Sequence, residues 1–184
     1  MTQYAKFRSG QSWDDLPPVP ITAAKLGSSA PTLATFITDI EQYTFDATND
    51  FVIGATEVTH TFAEGVDIVP HVHWASNGSE VGAHTVQFQL KWSVCIPGAA
   101  AGAQITAVTG DLTIAGGTAD RMNYISDFTT NVSGAGVVIG TYIVWRFERI
   151  AAVGGTPPAA DPFVLAIGFH CRQDSTGSLT KPAK

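Results

Sequence analysis

The chain has 184 residues and a formal net charge of −6, with 45% hydrophobic and only 14% charged residues. This length supports one domain with a sizeable core, and an acidic balance without clustered Lys and Arg excludes the phosphate contacts of a nucleic-acid binder. No apolar run reaches the ~20 residues that cross a bilayer as a helix, and the low charge fraction predicts a surface partly covered by other subunits.

Residues 1–32 differ from the rest. Trp13-Asp14-Asp15-Leu16-Pro17-Pro18-Val19-Pro20 and the closing Gly27-Ser28-Ser29-Ala30-Pro31 carry a proline density that rules out a helix or a central strand and predicts an extended N-terminal arm. The arm also holds Tyr4, Phe7, Trp13, Leu16, Val19 and Ile21, apolar side chains that need burial and are the predicted anchors of a subunit interface. On this reading the arm serves assembly, and its removal leaves a folded domain. Lys6 and Arg8 are followed by no apolar segment of the secretory kind, which predicts no export by the usual route.

From residue 33 to 175 the pattern is that of β-structure. In His84 to Ile96, the residues Val86, Phe88, Leu90, Trp92, Val94 and Ile96 alternate with polar ones, the period-2 signature of a strand with one face buried. Val137 to Arg149 repeats it with Val137, Ile139, Ile143, Trp145 and Phe147, and Phe163 to Gln173 with Phe163, Leu165, Ile167 and Phe169. Shorter predicted strands are Gln42 to Ala47, Phe51 to Phe62 with a break at Gly54, Asp67 to Ser76, Gln104 to Val108, Leu112 to Ala115 and Met122 to Phe128. Turn residues such as Ser76-Asn77-Gly78-Ser79 and Ser133-Gly134-Ala135-Gly136 separate them. Such alternation belongs to antiparallel sheets rather than to a parallel sheet covered on both faces. The predicted fold is all-β: an antiparallel, jelly-roll-like β-sandwich over residues 33–175, with a C-terminal tail at 176–184. Cys95 and Cys171 lie in strand-like runs and are expected as free thiols.

The segment Glu64-Gly65-Val66-Asp67-Ile68-Val69-Pro70-His71-Val72-His73-Trp74 places His71 and His73 on one strand face and Ile68, Val72 and Trp74 on the other. A His-x-His pair on one face can begin a metal site. The other reading, and the expected one, is a polar hydrogen-bonded face with no metal and no cofactor. Gly65, His71 and His73 fit the first half of the cupin metal motif, but six residues separate His73 from Glu80 where the motif has three or four. His170 lacks the hairpin context of the motif's second half, so a set of His71, His73 and His170 stands as the alternative, within a cupin-like metal-binding enzyme. No nucleophile elbow and no phosphate-binding Gly-Lys-Ser/Thr loop is present. Asp14-Asp15 read as a solvated pair or turn caps rather than as paired catalytic acids, and Trp74, Trp92 and Trp145 align with apolar faces and read as core.

Three residue groups carry a resemblance: Trp13-Asp14-Asp15-Leu16 with Pro20, Lys25-Leu26-Gly27 and Pro31; the Glu64 to Trp74 run; and Phe169-His170 with Asp174, Gly177-Ser178 and a lysine-bearing tail. In this order they resemble small virion-associated proteins from the structural gene clusters of tailed bacteriophages, over most of the chain except about residues 97–135. The resemblance implies a non-enzymatic virion protein without catalytic residues: a capsid cement or decoration protein, or alternatively a tail or neck accessory. It further implies the major capsid protein and other copies of the chain, as a homotrimer, as partners, and a place on the capsid surface after assembly in the bacterial cytoplasm. Neither nucleic acid nor membrane is an expected partner.

Overall fold

A computed structural model describes residues 12–175. Among them run β1 (Ser12–Asp15), β2 (Val19–Pro20), a 3-10 turn (Ile21–Ala23), β3 (Lys25–Leu26), β4 (Thr32–Ile37), β5 (Ile40–Thr44) and β6 (Phe51–Glu57). There follow β7 (Val69–Ala75), β8 (His84–Cys95), β9 (Ile105–Val108), β10 (Leu112–Ile114), β11 (Asn123–Asp127), β12 (Tyr142–Ile150) and β13 (Phe163–Gln173). They form two sheets, β11-β7-β13-β5-β4 with β1 and β2 also on β13, and β10-β8-β12-β6-β3 with β9 also on β8. The pairings are antiparallel.

From β5 onward the chain alternates between the sheets, staying within one sheet only from β8 to β10. This route places β11-β7-β13-β5 against β10-β8-β12-β6, the strand order of a jelly roll. The interior is filled by the alternating apolar rows. Val86, Phe88, Leu90 and Trp92 of β8 and Ile143, Trp145 and Phe147 of β12 are buried against Val72 and Trp74 of β7 and Ile167 and Phe169 of β13. A run of rings crosses from sheet to sheet: Tyr124 stacks on Trp74 at 4.4 Å, Trp74 meets Phe88 at 5.6 Å, Phe88 meets Phe147 at 5.4 Å, and Phe147 meets Phe45 edge-on at 5.2 Å.

Three local details depart from the alternation read in the sequence. β6 runs unbroken through Gly54, which lies opposite Trp145; a Cβ there would stand 2.3 Å from the indole, so the glycine makes room for a core ring and does not end the strand. Residues 137–141 lie outside any strand, with a turn at Ile139 and Gly140 where Gly140 takes φ +78°, although Val137 and Ile139 are buried as expected. In β13 a bulge between Val164 and Ala166 shifts the register, so Val164 rather than Leu165 shares the inner face with Ile167 and Phe169.

The largest difference concerns the N-terminal segment. β13 has eleven residues, and on one flank β5 pairs only with Phe163 and Val164. The rest of that flank is taken by β2 at Ala166 and Ile167 and by β1 at His170 to Gln173, while β3 pairs with β6 in the other sheet. The prolines cut the segment into short pieces without preventing each piece from pairing. Leu16 and Ile21 are fully buried within the chain's own core, which corrects their expected role as anchors for a neighbour and brings the described part of the segment, from Ser12 on, into the sandwich domain. Val19 is half-buried against that core, and Trp13 is 56% exposed beneath the Arg172 guanidinium, 4.1 Å from its ring centroid. Tyr4, Phe7 and the tail at 176–184 lie outside the described residues.

Both thiols are free, and Cys171 is fully buried. Burial, reinforced by the negative charges of Asp14 and Asp15, pushes its thiol up to about 11. The thiolate is the nucleophile, so Cys171 should resist a thiol-alkylating reagent at neutral pH in the folded protein and react once the chain is unfolded. Mass spectrometry of the labelled peptide checks this; rapid labelling of native protein at Cys171 would show the packing described here to be wrong.

Candidate functional site

The outer face of the first sheet gathers the chain's most concentrated set of donor groups among the described residues. Facing residues of an antiparallel pair point to the same side, so the register of β7, β13 and β1 decides which side chains meet. His71 lies opposite Gly168, His73 opposite Ala166, and His170 opposite Asp15. Pro70, Val72 and Trp74 alternate to the other side and hold β7 on the core. Four groups on three strands far apart in sequence are thereby brought to one region: Asp15 from β1, His71 and His73 from β7, and His170 from β13.

Gly168 is what lets the His71 ring lie flat against the sheet. A Cβ at that position would stand 2.2 Å from His71 Nε2. The ring is fully buried, stacks on His170 with centroids 3.8 Å apart and planes 18° apart, and meets His73 edge-on. His71 Nε2 lies 3.1 Å from His73 Nε2 and 4.0 Å from Asp15 Oδ1, and His170 Nδ1 lies 2.6 Å from the same carboxylate oxygen. His71 Nδ1 makes no hydrogen bond of good geometry.

Burial, with the neighbouring His170, lowers the His71 pKa to about 4, against a weaker upward pull from Asp15. Its imidazole is therefore neutral at pH 7, with one ring nitrogen as a donor and the other as an acceptor. Beside the cluster is an open cavity of about 310 Å³ lined by Trp13, Val69, Asp127 and His170. Donor atoms of Asp15, His71 and His170 all lie within 4.8 Å of one another, close enough to share one cation.

Of the alternative trio His71, His73 and His170, His71 touches both of the others, but the group whose donor atoms lie within 4.8 Å has Asp15 in place of His73. Asp15, read in the sequence as a solvated or turn-capping acid, instead reaches from β1 to His170 on β13. Nothing local in the sequence signals this contact, which depends on the register of β1 against β13. The outer face of the second sheet carries a different polar group, structural in character. Glu148 accepts from Lys91 Nζ at 2.6 Å and from Arg146 Nη2 at 2.5 Å, and Arg146 covers the Phe51 ring at 3.7 Å. Burial would raise the Glu148 carboxyl, but these two cationic partners outweigh it and hold the group below its ordinary value. Comparison with protein-family models, with curated proteins and with solved structures finds no match to this chain.

Proposed function

We propose that the chain is a non-enzymatic structural protein of a tailed-bacteriophage virion, a cement or decoration protein that works as a homotrimer against the major capsid protein. The observation that carries this reading is the edge of the first sheet. β4 pairs with β5 on one side and with no strand on the other among the described residues, Arg121 Nη2 approaching the Thr35 carbonyl only at 3.5 Å. Its sequence, Thr-Leu-Ala-Thr-Phe-Ile, has none of the charges or prolines that keep edge strands from pairing with other chains.

Leu33, Ile37 and, across the hairpin, Ile40 are 46%, 52% and 57% exposed. An open, uncharged, apolar edge is a site for strand addition by another subunit. Support of a different kind comes from the resemblance of the Trp13 to Leu16 and Glu64 to Trp74 segments to virion-associated proteins, and from a charged fraction of 14% that suits a surface largely covered by neighbours.

Mixed with particles assembled from the major capsid protein alone, the full-length chain should co-sediment at a fixed ratio and raise their thermal stability. Burying a Leu or Ile side chain contributes about 1.5–3 kcal/mol, so the double variant Leu33→Lys, Ile37→Lys should remain folded and bind at least ~100-fold more weakly. A wild-type chain that stays in the supernatant would overturn the proposal. So would a double variant that binds as tightly as wild type, because the contact would then lie elsewhere.

A further inference from the structure

We propose that Asp15, His71, His73 and His170 form a structural divalent-metal site of the zinc class, which ties β1 to the centre of the first sheet. The donor set is three imidazoles and one carboxylate, all ordinary zinc ligands. Two nitrogens that each stand about 2.0–2.1 Å from a tetrahedral ion are about 3.3 Å apart; the two Nε2 atoms of His71 and His73 are 3.1 Å apart. Asp15, His71 and His170 have donor atoms within 4.8 Å of one another; His73 touches only His71 and lies outside that set, so it turns about its side-chain torsions to supply the fourth donor.

Two facing ring nitrogens can share one proton or one cation. Here the cation has further reason to be preferred, since a carboxylate oxygen lies 4.0 Å from one of those nitrogens and 2.6 Å from the stacked third imidazole. The placement is built into the backbone. Gly168 leaves the space that the His71 ring occupies, and a Cβ there would displace the ring. The open cavity beside Trp13, Val69, Asp127 and His170 gives an ion a route from solvent.

Four protein donors close a tetrahedral site, which is the pattern of structural rather than catalytic zinc. The consequence is mechanical: the ion joins β1, β7 and β13, and its binding free energy adds to the stability of the folded state. This inference stands apart from the virion assignment, since it is read on the isolated chain.

Full-length protein is stripped with a chelator, re-equilibrated with Zn(II), Co(II) or Mg(II), and assayed for metal content, thermal unfolding and visible absorption. The expected result is one zinc per chain, a raised unfolding temperature with zinc but not magnesium, and the intense visible bands of tetrahedral cobalt. Asp15 and His170 have side chains 41% and 38% exposed, so Asp15→Asn and His170→Asn should fold normally; circular dichroism checks this. Each should bind zinc at least ~100-fold more weakly, the upper range for loss of a mere supporting group. A folded wild-type chain that takes up no zinc overturns the proposal. Zinc affinity unchanged in both variants, or a weak octahedral cobalt spectrum, overturns it equally.

Discussion

A chain lacking residues 1–26 will not fold to the native sandwich. Such a deletion removes β1, β2 and β3 and takes Leu16 and Ile21, both fully buried, out of the core. Large aliphatic-to-alanine changes in cores cost about 2–5 kcal/mol each, and complete loss of two such side chains costs at least that. The deletion also uncovers one flank of β13 from Ala166 to Gln173, leaving backbone donors and acceptors of a central strand without partners. Against a typical domain stability of about 5–15 kcal/mol, this sum removes most or all of the margin. Leu16→Ala isolates part of the effect: chemical denaturation should give a loss of about 2–5 kcal/mol. A truncated chain with the far-UV spectrum and cooperative unfolding of the full-length protein would show that the segment lies on the sandwich without supporting it.

Phe88→Ala should be strongly destabilising, since it removes the ring at the middle of the array. Phe88 is fully buried on β8 and touches Trp74 of the opposite sheet and Phe147 of the adjacent strand. Truncating a buried Phe costs about 3–5 kcal/mol, and each lost aromatic pair adds about 0.5–1.5 kcal/mol beyond area. The core that Phe88 shares spans both sheets, so both should unfold together at a midpoint well below wild type. Near-ultraviolet circular dichroism, which reports the environment of Trp74, should collapse at the same denaturant concentration as the far-ultraviolet signal. A loss under 1 kcal/mol, or separate transitions, would contradict the shared core.

What the sequence made legible follows from local periodicity. β8 and most of β12 and β13 were readable because one buried face imposes a period of two over nine to twelve residues. The jelly-roll order follows from such strands only once their partners are known, and the antiparallel class was readable before that. β4 was not, because its hairpin turns through Thr38 at φ +47°, a β-branched residue where Asn or Gly would announce the turn. The N-terminal segment is hidden from the sequence for a related reason. Its prolines argue against a long strand, but the deciding fact is the uncovered flank of β13 about 150 residues away, and nothing local shows it. The same separation hid Asp15 at the candidate site. His71 and His73 were visible as a pair two residues apart, and their meeting with His170 required only that β7 and β13 be neighbours.

Electron cryomicroscopy of intact particles, produced from the genome that encodes the chain and from the same genome with the chain deleted, tests the assembly proposal most directly. The proposal predicts trimers of this jelly roll on the capsid exterior, with the Thr32–Ile37 edge seated against another subunit, and bare, less stable shells in the deletion. Particles whose wild-type and deletion maps are identical over capsid, neck and tail would contradict it.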